Sequence, residues 1–176
     1  MNRRSAIRTV LITSAGIALL PSCRSHDSHA PVELSKIKIS GEQAGLLAAL
    51  TAAIIPTTET PGAKEAKADE FILKMVNDCA EPDEQRKFMD GLSAFQKWSA
   101  SKSNKSFDLL TDGERKQLLT ALESKKDIPA PVAEFYEGIK GGTIQCYTGG
   151  EYYMTTVMEY NIIPKHYKGC VPVAGA

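Results

Sequence analysis

Four cysteines carry the most reactive side chains of this 176-residue chain. Cys23 follows Leu20-Pro21-Ser22 at the end of an apolar segment, which is typical of a lipoprotein cleavage box, so we predict lipidation at Cys23. An exported chain meets an oxidising compartment, where three further cysteines favour one disulfide and one remaining thiol. The spacing leaves every pairing open among the disulfide candidates Cys79, Cys146 and Cys170.

The rest of the sequence shows no recognisable catalytic or cofactor-binding pattern. His166 is the one histidine inside the predicted folded region, and no G-x-S-x-G motif supplies a nucleophile. The sequence has no G-x-G-x-x-G fingerprint after a strand and no C-x-x-C-H haem motif. His26 and His29 lack a companion set of metal ligands. We therefore predict no catalytic, cofactor-binding or metal-binding residues in this chain.

The N-terminal segment predicts export. Arg3-Arg4 stand ahead of Ile7, Arg8 and a soft apolar run, the order found in twin-arginine signals, with the general export route as the alternative. The apolar run spans about 12 residues, whereas a membrane-spanning helix needs roughly 20. We assign residues 1–22 to a cleaved signal peptide, residues 23–38 to a flexible lipidated tether and residues 39–176 to the folded domain. The mature protein is expected in the periplasm, held at a membrane by lipid on Cys23.

The charge balance excludes some classes of partner. The sequence has 21 Lys and Arg residues against 21 Asp and Glu residues. Cleavage removes three arginines and no acid, so the mature chain of 154 residues has a net charge of −3. This balance argues against nucleic-acid binding and against electrostatic attachment to a membrane. The remaining length is enough for one domain with its own core.

Apolar periodicity indicates helices through the whole folded region. Ser40 with Gln43 and Thr111 with Glu114 form predicted capping boxes, and Pro82 suits the first position of a helix. No stretch alternates with period two for long enough to require a strand. The fold class is therefore all-α, a compact bundle of about six helices that begin near Ser40, Ala63, Pro82, Thr111, Pro131 and Glu151.

Two segments stand out from this helical pattern. The first is the turn-rich loop from Pro56 to Ala63, whose Pro56 and Pro61 restrict its backbone. The second is the last third of the chain, which contains all six tyrosines. Tyrosines there could fill helix faces of the core, or they could anchor a partner through large contact areas. The loop could likewise merely join two helices.

Three segments resemble the gluconate 2-dehydrogenase subunit 3 family. Ile54-Ile55-Pro56-Thr57-Thr58-Glu59-Thr60-Pro61-Gly62-Ala63 is similar to a signature segment of that family. Phe135-Tyr136 through Tyr147 resembles its second block, and Pro164 through Pro172 resembles its tail. Together these segments span most of residues 40 to 173.

The resemblance implies a non-catalytic small subunit. Its partner would be a large, FAD-containing sugar or polyol dehydrogenase, often joined by a multihaem cytochrome subunit, and the small subunit would assist folding and export of the flavoprotein. The alternative is an independent exported lipoprotein with a cysteine-based redox or ligand-binding role. We expect the partner at a surface formed by Pro56, Thr57, Thr60, Pro61, Gly62, Tyr136, Tyr147, Tyr152 and Tyr153.

The resemblance also favours one disulfide. Cys79 and Cys170 stand in contexts that recur in the family, whereas Cys146 replaces a usual glycine. The tail after Pro164 has little predicted regular structure, and a covalent bond to a helix would order it. We predict a Cys79–Cys170 disulfide, with Cys146 as the rival partner.

Overall fold

The computed structural model describes residues 33–161 and residue 163. Five α-helices and two short helical turns follow one another in this part of the chain, and the described residues contain no strand. The α-helices are α1 (Gly41–Ile54), α2 (Ala68–Cys79), α3 (Pro82–Ser103), α4 (Asp112–Ser124) and α5 (Ala130–Gly149). A 3₁₀ turn, Phe107–Leu109, precedes α4, and a π-helical turn, Tyr153–Val157, follows α5. The predicted all-α fold is confirmed.

Local sequence signals account for where these helices begin. The Gln43 backbone N–H donates to Ser40 Oγ (3.2 Å) while the Ser40 N–H donates to Gln43 Oε1 (3.0 Å), which confirms the first capping box. The second capping box, Thr111 with Glu114, is also present. Pro82 occupies the start of α3, where a missing N–H leaves no helical hydrogen bond unmade.

Two predicted boundaries were wrong. The second helix begins at Ala68, since residues 63–67 form consecutive turns and Lys67 has the left-handed backbone angle φ 54°. A left-handed residue interrupts a right-handed helix, so the helix starts after it. The segment predicted as a helix from Glu151 to Tyr160 is mainly the π-helical turn, whose residues are all at least partly exposed.

Aromatic side chains from three elements form the centre of the core. Phe95 of α3 is fully buried, and its ring lies 5.5 Å from the Phe107 ring and 5.7 Å from the Phe135 ring of α5, between ring centres. Trp98 adds a further ring at 6.0 Å from Phe95. Gly91 lets α3 approach α5, because a Cβ there would lie 2.8 Å from the Phe135 Cβ. This packing fixes α5 against α3.

The end of the predicted tether lies against the folded domain. The backbone N–H groups of Lys36 and Ile37 donate to Asn77 Oδ1 at 2.9 and 3.3 Å, and Ile37 is buried. An apolar side chain and a buried amide near the end of α2 thus hold these residues in place. The predicted signal peptide, Cys23, most of the tether, His166 and Cys170 lie outside the described residues.

Candidate partner-binding surface

The loop between α1 and α2 is closed at its base and exposed along its length. Residues 56–60 are all exposed, Pro61 is half-buried and Gly62 is buried. The Ala63 backbone N–H donates to the Ile55 carbonyl at 2.9 Å, which joins the two ends of the loop. The loop therefore projects a continuous stretch of backbone from a fixed base.

Gly62 is required by the close approach of backbone at that base. A Cβ at this position would lie 2.6 Å from the Thr57 nitrogen, 2.7 Å from the Ile55 carbonyl oxygen and 2.7 Å from the Pro56 carbonyl carbon. No side chain can move aside to relieve these contacts, since all three atoms belong to the backbone. Any other residue at position 62 has to change the shape of the loop.

The Glu65 carboxylate, which was not among the predicted site residues, accepts hydrogen bonds from both ends of the loop. Glu65 Oε2 accepts a hydrogen bond from the Thr57 hydroxyl at 2.7 Å and another from the Gly62 backbone N–H at 2.8 Å. The hydrogen bonds from Thr57 and then Gly62 lower the pKa of Glu65 from its ordinary value. Its signal in the sequence was a carboxylate three residues after Gly62, but the prediction of a helix from Ala63 hid it.

The tip of the loop is ordered by contacts between its own threonines. The Thr58 backbone N–H donates to the Thr60 carbonyl at 3.1 Å, and the two hydroxyl oxygens are 3.5 Å apart. Thr57 and Thr60, both predicted interface residues, are exposed. The contacts between Thr58 and Thr60, together with the restricted backbone of Pro56 and Pro61, limit the conformations of the loop.

The end of α5 lies next to the turn that follows this loop. The Cys146 thiol donates a hydrogen bond to the Ala66 carbonyl, with a sulfur–oxygen distance of 3.4 Å. A Cβ on Gly142, one turn earlier in α5, would approach Ile72 Cγ1 to 2.9 Å. Later residues of α5 therefore meet earlier residues of α2, so the two helices are antiparallel and the last turns of α5 lie at the loop end of α2.

Three of the predicted interface tyrosines surround this end of α5. Tyr147 and Tyr153 pack edge to face with their ring centres 5.9 Å apart, which joins α5 to the π-helical turn. Both rings are half-buried, and so is Tyr152. Each of these residues keeps part of its ring accessible to a partner.

Tyr136 is a core residue, and its inclusion among the interface residues was wrong. It is 4% exposed, and its hydroxyl donates to Glu123 Oε1 at 2.7 Å. It lies on the face of α5 that also carries Phe135 and Ile139, which faces the core. The alternative explanation that the sequence allowed, a tyrosine that fills a helix face of the core, describes Tyr136.

Apolar side chains extend the accessible surface beyond the tyrosines. Four of them follow α5 in the sequence and are 52% to 76% exposed: Val157, Met158, Tyr160 and Ile163. The predicted helix from Glu151 to Tyr160 included most of this segment, and its exposure was not predicted. We call the loop Pro56–Gly62, with Tyr147, Tyr152 and Tyr153, the loop end of the molecule.

The two cysteines in the described part of the chain lie far apart. Cys79 ends α2 and is exposed, whereas Cys146 is half-buried beside Ala66, just before α2 begins. Burial and then the nearby Asp69 carboxylate raise the pKa of Cys146. The length of α2 separates the two cysteines by roughly 16 Å, far beyond disulfide reach. A Cys79–Cys146 bond is thereby excluded in this fold, and the Cys79–Cys170 disulfide stays a prediction because Cys170 lies outside the described residues.

These features define the class of the molecule as a small all-α domain with a preformed loop at one end. Residues 41–164 match the family model described as gluconate 2-dehydrogenase subunit 3. The chain belongs to the gluconate 2-dehydrogenase subunit 3 family, and the match includes the loop, α1 to α5 and the π-helical turn. Searches among curated proteins and among solved structures found no match.

Family membership makes this chain a subunit of a dehydrogenase complex of the gluconate 2-dehydrogenase kind. Within residues 33–161 and 163, no three His, Cys, Asp or Glu side chains are grouped so as to hold a metal ion. Over the same residues, no helix is both long enough and apolar enough to cross a membrane.

Proposed function

We propose that this chain is a non-catalytic small subunit that holds a large, FAD-containing sugar or polyol dehydrogenase through its loop end. The observation that carries the proposal is the pairing of an exposed but internally bonded loop with half-buried tyrosines at the same end of the molecule. A preformed loop loses little conformational entropy when it binds, and partly exposed tyrosines are frequent anchors at interfaces.

The N-terminal sequence supports an export role for the same subunit. A twin-arginine signal carries folded proteins, so a flavin-loaded partner without its own signal could leave the cytoplasm bound to this chain. Lipid on Cys23 would then keep the complex at a membrane, where a cytochrome subunit could accept its electrons. A lipoprotein cysteine carries several acyl chains, and more than one chain is what stable anchoring requires.

Co-expression with the candidate flavoprotein tests this function directly. The complete, affinity-tagged chain should retain a partner that shows flavin absorbance and oxidises gluconate or a related sugar acid or polyol with an added dye as acceptor. The purified chain alone should show neither property. Flavin absorbance or dye reduction by the isolated chain would instead support the alternative of an independent redox lipoprotein.

The anchoring part has its own test. Fatty-acid labelling of the wild-type chain and of Cys23→Ala compares lipidation while the folded domain stays unchanged. Label on the wild-type chain and none on the variant is expected. Label that persists on Cys23→Ala would assign the lipid to another residue and contradict the predicted anchor.

A further inference from the structure

Glu65 makes its two hydrogen bonds to opposite ends of one loop. Thr57 lies near the beginning of the loop and Gly62 at its end, and the same oxygen, Oε2, accepts from both. The side chain itself is exposed and lies outside the aromatic core. Its contacts therefore determine the shape of the loop and add little to the packing of the helices.

The base of the loop has a separate connection that does not involve Glu65. The Ala63 N–H donates to the Ile55 carbonyl, and the Ala68 N–H donates to the Ala63 carbonyl at 3.0 Å. Loss of the Glu65 carboxylate would leave these bonds between backbone groups intact. It would free the Thr57 hydroxyl and the Gly62 N–H, so residues 57–62 would sample other conformations.

We propose that Glu65 is a positioning residue that holds residues 57–62 in the conformation that binds the large dehydrogenase subunit. This inference rests on the proposed function. A loop that must be ordered during association binds more weakly than one already ordered, with no change in the contacts it finally makes. Replacement of Glu65 by alanine is expected to weaken binding on the order of tenfold.

Amide hydrogen exchange on the complete isolated chain tests the positioning step without any partner. In Glu65→Ala the Gly62 amide should exchange at least about ten times faster, whereas the Ala63 amide keeps its protection. Glu65→Gln retains an acceptor oxygen and should give an intermediate rate. Glu134→Gln is the matched control, because Glu134 is an exposed glutamate in the first turns of α5 whose side chain has no hydrogen bond or ion pair with the described part of the chain. Unchanged exchange of Gly62 in Glu65→Ala would overturn the proposal.

Affinity for the purified flavoprotein then tests the binding step. The wild-type chain and Glu134→Gln should bind equally, Glu65→Ala about tenfold more weakly, and Glu65→Gln between them. A wild-type chain that does not bind contradicts the proposed function itself. A wild-type chain that binds, together with Glu65→Ala that binds equally well despite faster Gly62 exchange, contradicts the role of Glu65 alone.

Thr57→Val provides a second variant should Glu65→Ala fail to fold. Valine has nearly the shape of threonine but cannot donate to Glu65, so only one of the two bonds is lost. The expected result is a weakening of flavoprotein binding by a few-fold, with an unchanged melting temperature. Binding equal to that of the wild-type chain would again overturn the proposal.

Discussion

The two ends of α5 are stabilised in different ways. At its beginning, which we call the core end, Phe135 packs among the rings of Phe88 and Phe95. At the loop end, Cys146 contacts a turn and Tyr147 contacts a π-helical turn, and much apolar surface stays accessible. At the core end the side chains pack within the domain, whereas at the loop end part of the side-chain surface stays accessible to another protein.

One glutamate at the core end and one at the loop end each accept two hydrogen bonds, and their donors differ as the two ends do. Glu123 of α4 accepts from the Tyr136 hydroxyl at 2.7 Å and from the Lys140 ammonium at 2.6 Å, so it ties two helices together. Glu65 accepts from two residues of a single loop. One carboxylate supports the fold, and the other supports the conformation of a surface.

Phe95→Ala should have the largest effect and act only through the core end. Phe95 is fully buried against three aromatic rings, so its truncation leaves a cavity and should cost about 3–5 kcal/mol of unfolding free energy. Chemical denaturation measures this loss. Leu109→Ala, at a residue that is 64% exposed, is the control and should change the free energy by less than about 0.5 kcal/mol. Equal effects of both substitutions would contradict the assigned core.

Gly62→Ala should act mainly at the loop end. The new methyl group would lie within 2.7 Å of three backbone atoms, so the loop has to move, and flavoprotein binding should fall on the order of tenfold or more. The unfolding free energy should fall by about 1–2 kcal/mol. Gly141→Ala in α5, where a Cβ has nothing within 4 Å, is the matched control and should leave binding unchanged. Loss of binding in both variants would show that the loop is not the cause.

Tyr136→Phe should have a smaller effect, confined to the core end. The substitution keeps the ring in place and removes the hydroxyl that donates to Glu123, at a cost of about 1 kcal/mol. Flavoprotein binding should remain at the wild-type level, since Tyr136 is buried. Thermal unfolding and the binding assay together check this. Reduced binding by a stably folded Tyr136→Phe would contradict this and support Tyr136 as an interface residue.

The smallest effect should be a pH dependence that comes from Glu123. Hydrogen bonds from Lys140 and then Tyr136 lower the pKa of Glu123, and Lys125 adds to this effect. Since the folded pKa lies below the unfolded one, Glu123 stabilises the fold fully above its ordinary value of 4.5 and loses this contribution as the pH falls through the folded pKa. The side chain is 44% exposed, so solvent screening keeps the contribution small. In Glu123→Gln the melting temperature should decline less steeply on acidification than in the wild-type chain, and equal slopes would contradict this.

Sequence patterns could predict the helices because their signals are local. Ser40 and Thr111 mark helix starts through hydrogen bonds to the residue three positions later, and Pro82 marks one through its fixed φ and missing N–H; all three appear as expected. The role of Glu65 depends on a left-handed Lys67 that ends a run of turns, which no apolar periodicity records. The spacing of Tyr136 from Val132 and Ile139 places all three on one helix face and so indicated that Tyr136 is buried. It was nevertheless predicted as an interface residue because all six tyrosines lie in the last third of the chain.

The most direct test of the loop end as the partner-binding surface is quantitative co-purification. The complete, tagged wild-type chain and the triple variant Thr57→Ala, Thr60→Ala, Tyr153→Ala would each be co-expressed with the flavoprotein, and bound flavin measured per mole of chain. We expect a folded variant with a melting temperature close to that of the wild-type chain and less than about a tenth of its bound flavin. A folded variant that retains as much flavoprotein as the wild-type chain would contradict the assignment.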